Sequence, residues 1–266
     1  MTPREAHATR PADFYAALHT GTPGDIAYYQ RACSDAGSVL ELGCGYGRVL
    51  EALGESKAAC VGMDRDLDLL RLAARRVESA GLVCGDMRRF AFARQFDRIL
   101  LPYTGIYCLA DDGEVVACFE RVREHLAASG RFIFDAYCAE ALHGSGEGSE
   151  TMQPDAPDTV EDSRETNDDV CDDDVAIVEV GDSTYHVSEQ SDWNPERQEF
   201  EVVYVYEPRS GGHSIASTIR HRYLLLDQIA PLLARAGLEL VSLTSGFDDA
   251  PIDASSEHFV AVAKQS

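Results

Sequence analysis

Val39-Leu40-Glu41-Leu42-Gly43-Cys44-Gly45-Tyr46-Gly47-Arg48 is the stretch from which the rest of the chain can be read. An apolar run holding one carboxylate predicts a buried strand. The glycines at alternate positions predict a tight turn, and a helix is expected to begin near Arg48. Without Cβ atoms the turn lets a ligand lie against bare main chain. Nucleotide-like cofactors are held this way at the carboxyl end of a first parallel strand. The next apolar run, Ala58 to Met63, leads into Asp64, at a spacing suited to a carboxylate that grips a ribose. Singly, each feature has a plain alternative: a βα connection for the glycines, a helix cap for Asp64 beside Asp66 and Asp68, a turn residue for Asp86. Their occurrence together in this order favours a cofactor site.

Two cofactor classes fit the pair. A dinucleotide site calls for G-x-G-x-x-G, but the pattern here is G-x-G-x-G, with Arg48 where the third glycine would stand. Glu41, two residues before the first glycine, is the other departure. Both resemble motif I of the class I S-adenosylmethionine-dependent methyltransferases. Downstream segments agree in order: Val61-Gly62-Met63-Asp64 looks like the acidic end of strand 2 and Cys84-Gly85-Asp86-Met87 like the strand 3 turn. Phe96 to Tyr103 looks like strand 4 and its exit loop. The ending Ser245 to Pro251, followed by Glu257 to Ala263, is similar to the small-molecule branch that includes glycine/sarcosine and amino-sugar N-methyltransferases. So is Phe14-Tyr15 followed by Pro23-Gly24-Asp25.

The chain of 266 residues suits one large domain or a domain with an inserted subdomain. No apolar run approaches the ~20 residues of a membrane span, and the first residues carry no apolar signal region, so a cytoplasmic protein is expected. Eight cysteines lack metal-like spacing. Cys60, Cys84 and Cys118 are expected as reduced core residues, and no metal is expected. The formal charge of −23 repels phosphate backbones, which argues against nucleic acid as partner.

Strands are expected at Ser38–Leu42, Ala58–Met63, Leu82–Cys84, Arg98–Leu101 and Arg131–Asp135, with helices at Arg48–Glu55, Asp66–Ser79 and Asp112–Ala128 between them. Gly130 is expected to stop the last of these helices. That alternation implies right-handed crossovers and a parallel sheet. After the acidic stretch the period changes to two: Val175–Val180 alternates, as do Phe200, Val202, Tyr204 and Tyr206, then Ile215 to Tyr223. A helix over Asp227–Ala236 closed by Gly237 and two strands, the last antiparallel, complete the fold. The expected class is α/β: a Rossmann-like, mostly parallel seven-stranded sheet with an antiparallel β subdomain inserted between strand 5 and the last helix. Its parts are an N-terminal helical cap (1–36), a cofactor-binding core (37–142), an acidic flexible insertion (143–174), a substrate-side β subdomain (175–226) and a closing segment (227–266).

The resemblance implies S-adenosylmethionine as cofactor, held by Tyr15, Tyr29, Glu41, Gly43, Cys44, Gly45, Gly47, Arg48, Asp64, Arg65, Gly85, Asp86, Met87 and Leu101. Glu41 and Arg48 would set charges near its ammonium and carboxylate, Asp64 would accept both ribose hydroxyls, and Asp86 would read the adenine amine. The acceptor would be a small molecule, more readily an amine than a hydroxyl or carboxylate. Tyr103, Tyr107, Trp193 and Arg222 are the substrate-side candidates; aromatic walls attract amines, and Arg222 would bind a carboxylate or pair with a neighbouring acid. Tyr103, Tyr107 and His221 are the candidate catalytic residues, with His186 a further possible base. The loop after strand 4 lacks the Asn-Ser and His found in related enzymes, so a base there does not carry over. O-methylation and a cofactor-binding module without turnover remain open beside N-methylation; nicotinamide oxidoreduction is disfavoured by Arg48.

Overall fold

A computed structural model describes residues 10–54, 56–144, 148–151 and 175–266. The chain divides into two compact units, Thr20–Gly144 with His221–Ser266, and Met1–His19 with Ser145–Arg220.

The larger unit contains strands β1 (Ser38–Leu42), β2 (Ala59–Asp64), β3 (Gly81–Cys84), β4 (Phe96–Leu101), β5 (Leu126–Tyr137), β11 (Leu238–Ser245), β12 (Ala250–Pro251) and β13 (His258–Gln265). They form one sheet in the order β12-β11-β13-β5-β4-β1-β2-β3. The pairings from β3 through β5 are parallel, while β13 runs antiparallel to both β5 and β11. Seven strands match the expected sheet, and the two-residue β12 adds an eighth. All five residues of β1 are buried, as both faces of a central parallel strand should be. From β1 the chain builds outward through β2 and β3, then returns to place β4 on the other side. That reversal opens a crevice at the carboxyl ends of β1 and β4, where ligands of open α/β sheets bind.

The helices of this unit are α2 (Asp25–Ala32), α3 (Arg48–Leu53), α4 (Leu67–Arg76), α5 (Asp112–His125), α6 (Glu140–Gly144) and α7 (Leu226–Arg235). Asp66 caps α4 through the N–H groups of Asp68 and Leu69, and Asp111 caps α5 through that of Glu114. Gly237, at φ +75°, ends α7 as expected. Gly130 does not end a helix. The chain passes straight from α5 into extended backbone at Leu126, and the β4–β5 register jumps from Phe96↔Leu126 to Arg98↔Arg131. Gly130 therefore lies in an irregularity of β5. Cys60 and Cys118 are buried, but Cys84 is exposed on β3, because an edge strand lacks cover on one side.

The second unit joins α1 (Pro11–Leu18) to a sheet of β6 (Gly148–Thr151), β7 (Ala176–Val180), β8 (Ser183–Asn194), β9 (Glu199–Pro208) and β10 (Ile215–Arg222). The order is β10-β9-β8-β6, with β7 also paired to β8. Phe14 of α1 packs against Tyr185 and Tyr206, each with ring centroids 4.9 Å away, over Val178 and Val187. The first helix thus packs with this sheet, while α2 belongs to the larger unit. The acidic stretch 147–174 lies outside the described residues except for β6. No helix among the described residues is long and apolar enough to cross a membrane.

Candidate functional site

Gly43, Gly45 and Gly47 all adopt left-handed backbone, at φ +64°, +52° and +84°. Their surroundings separate their roles. A Cβ on Gly47 would come within 2.9 Å of Val77 and 3.1 Å of Ala73, so this glycine lets the turn pack on α4. A Cβ on Gly45 would meet no protein atom within 4 Å. Gly43 has Leu101 and Met87 each 3.9 Å from that position, which puts two apolar side chains beside the turn. Cys44 is buried, donates its N–H to the Met63 carbonyl at 3.0 Å, and packs its sulfur where a Cβ on Gly62 would stand.

Asp64 ends β2 facing this turn. Its Oδ2 accepts the Gly45 N–H at 2.8 Å and its Oδ1 accepts the Asp66 N–H at 2.8 Å. Burial raises its pKa above the usual carboxylate range. Each oxygen keeps acceptor capacity beyond the main-chain bond that orients it. Glu41 lies deeper, on β1 and 3% exposed, and its Oε2 has no partner among the described residues. Desolvation pushes its pKa up to about 8, against the opposing pull of Arg48. A buried carboxylate with a spare oxygen is a site prepared for a donor or cation.

Arg48 does not offer a free charge to a ligand. Its guanidinium binds Asp25 through two bonds, at 3.0 and 2.5 Å, where a side chain on Gly21 would collide with it. It also lies 5.8 Å from the centre of the Tyr103 ring. Asp25, 4% exposed, is a residue of this site that sequence reasoning missed, since its place after Gly24 signals only a helix start. Asp86 is likewise engaged: Arg88 reaches both of its oxygens and Arg89 one, holding the carboxyl well below its ordinary pKa. Arg88 in turn pairs with Glu114. Gly85 is required because a Cβ there would come within 2.8 Å of the Met63 sulfur. Arg65 is exposed, and its carbonyl accepts the Cys84 thiol at 3.7 Å.

The loop after β4 holds two successive non-glycine residues in left-handed conformation, Tyr103 at φ +52° and Thr104 at φ +58°. Asp135, 1% exposed near the end of β5, accepts the Tyr103 N–H on both oxygens at 3.0 and 3.1 Å. Its main-chain carbonyl accepts the Thr104 N–H at 3.1 Å. Tyr29, fully buried on α2, donates its hydroxyl to the same carboxylate, so that hydroxyl serves Asp135. Burial pushes the Asp135 carboxyl up to about 6. Asp135 was not among the expected site residues.

Tyr107 is enclosed by the fold. It is fully buried in the 3-10 turn Gly105–Cys108, and its hydroxyl is shared between the carbonyls of Tyr137 at 2.8 Å and Leu224 at 3.1 Å. A hydroxyl so engaged braces these two carbonyls, and burial pushes its pKa well above the ordinary range. Arg222 pairs with Asp112 at 2.6 Å, the ion-pair alternative, although its Nη1 lacks a partner among the described residues. Burial drives the His221 pKa down to about 4, and its Nδ1 lies 3.4 Å from the Tyr137 hydroxyl. An imidazole so depressed is a weak base. Tyr15, Trp193 and His186 belong to the second unit: the Tyr15 and His19 rings lie 4.4 Å apart and tilted, and the other two lie on β8. Among the described residues no cluster of His, Cys, Asp and Glu is arranged to hold a metal.

Comparison with known proteins gives a family match and a shared fold. Residues 39–130 match the family described as "Methyltransferase domain". A dTDP-3-amino-3,6-dideoxy-alpha-D-glucopyranose N,N-dimethyltransferase from Streptomyces fradiae is 29% identical over 143 residues, covering 51% of this chain and 56% of that protein. The chain spans about half the length of the curated relatives it matches. Among solved structures, the CcbJ methyltransferase from Streptomyces caelestis shares the fold with a TM-score of 0.75, at 22% identity over 97% of each chain. SAM-bound CalS10, an amino pentose methyltransferase from Micromonospora echinaspora, gives a TM-score of 0.62 at 18% identity, over 90% of this chain and 88% of that one. Residues 39–130 thus match the methyltransferase-domain family, and the chain shares its fold with these methyltransferase structures.

Proposed function

We propose that the protein is an S-adenosylmethionine-dependent methyltransferase that methylates the nitrogen of a small amine, an amino sugar by class. The observation that carries the reading is the glycine turn: at Gly45 the main chain is bare and its N–H is held by the Asp64 carboxylate, while Glu41, on the strand that leads into the turn, keeps one oxygen without a partner among the described residues. These residues fit the cofactor. Glu41 would neutralise its ammonium, the turn would face its amino-acid end, Asp64 would accept the ribose hydroxyls, and Met87 and Leu101 would wall the turn with apolar surface. Bound there, the cofactor supplies a methyl group already activated by a positive sulfonium. The protein's part is then alignment and exclusion of water. Arg48, neutralised by Asp25, would stiffen the turn instead of binding charge. Reading of the adenine amine by Asp86 would require Arg88 and Arg89 to leave it an open acceptor position.

An amine acceptor needs only to arrive unprotonated, so the lack of a well-placed base among the described residues agrees with N-methylation. The sugar class is drawn from the curated dimethyltransferase relative. The test is release of S-adenosylhomocysteine over matched panels of nucleotide-linked amino sugars and their hydroxyl or carboxyl counterparts. Turnover confined to the amino sugars is expected. Turnover confined to the oxygen acceptors would overturn the nitrogen assignment, and tight cofactor binding without turnover on any acceptor would favour a binding module.

A further inference from the structure

Asp135 is spent on an arrangement that packing alone does not require. Two adjacent residues with Cβ atoms, one of them β-branched, are held at positive φ, a conformation both would leave if released. Strain of this kind persists only where surrounding groups enforce it, and it concentrates at working sites. Here the enforcing group is one residue: both side-chain oxygens of Asp135 take the Tyr103 N–H, and its main-chain carbonyl takes the next N–H along. The carboxylate is fixed from the other side by the Tyr29 hydroxyl on α2. Among the described residues no arginine forms an ion pair with it: Arg48 acts on it only through space and is bound to Asp25. The outcome of this buried expense is the placement of Tyr103, whose ring lies beside Arg48, the residue that follows the glycine turn.

We propose that Asp135 is a positioning residue for methyl transfer: by holding Tyr103 and Thr104 in left-handed backbone, it sets the loop after β4 on the acceptor side of the cofactor turn. This rests on the methyltransferase reading of the site. Among the described residues the side-chain hydrogen bonds of Asp135 go to Tyr103 and Tyr29 and not to the glycine turn, so cofactor affinity and acceptor turnover should separate when it is changed. Asp135→Asn keeps the volume but must turn an N–H toward one of its donors, and Asp135→Ala removes both bonds. Glycine tolerates φ near +58° without a clamp, so Thr104→Gly should relieve the need for one.

The experiment combines hydrogen exchange at the Tyr103 and Thr104 amides, calorimetry with S-adenosylmethionine, and steady-state kinetics on an amine acceptor. It uses the full chain, Asp135→Asn, Asp135→Ala, and Asp135→Asn with Thr104→Gly. Asp135→Asn should accelerate exchange at Tyr103 and lower kcat/KM for the acceptor by about 100-fold, the scale of a loop displaced by about an ångström, with cofactor Kd changed by less than about threefold. Adding Thr104→Gly should recover about tenfold in kcat/KM. A parallel loss of cofactor affinity and turnover, or no recovery by Thr104→Gly, overturns the proposal. If the unmodified chain turns over no amine, it is the functional reading that fails. The exchange measurement then still decides the clamp, and an unchanged Tyr103 amide in Asp135→Asn refutes it.

Discussion

If Glu41 meets the cofactor's ammonium as proposed, cofactor binding should depend on pH. Its carboxyl is 3% exposed, one oxygen is unpaired, and burial has moved its pKa from 4.5 to about 8. A shift of that size costs the folded protein about 5 kcal/mol once the group is ionised. The folded pKa is raised, so this contribution to stability is fully present below pH 4.5 and is lost as pH rises through 8. An arriving ammonium reverses the preference and releases a proton. If the bound carboxyl stays ionised down to pH 6, affinity for S-adenosylmethionine should rise about 20-fold between pH 6 and pH 7.5. Above that window the ligand's own α-amino group begins to lose its charge. Calorimetry at pH 6.5 in buffers of differing ionisation enthalpy should register close to one proton released per ligand. Glu41→Gln should release none, bind more weakly by about 1.5–3 kcal/mol, and flatten the pH dependence. Affinity that is flat across this window in the unmodified chain, with no proton release, would refute the assignment of Glu41 to the ammonium.

Asp64→Ala should weaken cofactor binding by about 1–3 kcal/mol, the scale of lost charge-assisted hydrogen bonds; unchanged affinity in calorimetry removes the ribose role. Gly47→Ala should lower stability by about 1–3 kcal/mol in urea unfolding, since it meets both a left-handed φ and a clash with Val77. Gly45→Ala meets open space, so it should lose less stability than cofactor affinity, and the reverse ordering would contradict the cradle. Tyr107→Phe should cost about 1–2 kcal/mol of stability while leaving acceptor KM within about twofold; a large KM change would restore its substrate role.

The sheet could be read from the chain because its signals are local. Glycines 43, 45 and 47 announce the turn, alternating apolar runs and helix caps announce the crossovers, and the apolar runs Leu238–Leu243 and His258–Ala263 announce the two closing strands. The long strand β8 escaped because only Tyr185, Val187 and Ser191 of its twelve residues are buried. Site details that depend on distant partners were also hidden. Arg48 finds Asp25 23 positions away, and Asp135 finds Tyr29 106 positions away, so neither pairing leaves a periodic trace. Tyr107 shows the same limit in another form: a tyrosine in the right loop can as well brace two carbonyls as face an acceptor, and only burial distinguishes them.

The most direct measurement is a crystal structure of the full chain with S-adenosylhomocysteine. The account predicts the ligand's amino-acid end over Gly43–Gly47 with its amine at Glu41, and its ribose hydroxyls on Asp64. Density for the ligand at any other place, or a ribose turned away from Asp64, would contradict it.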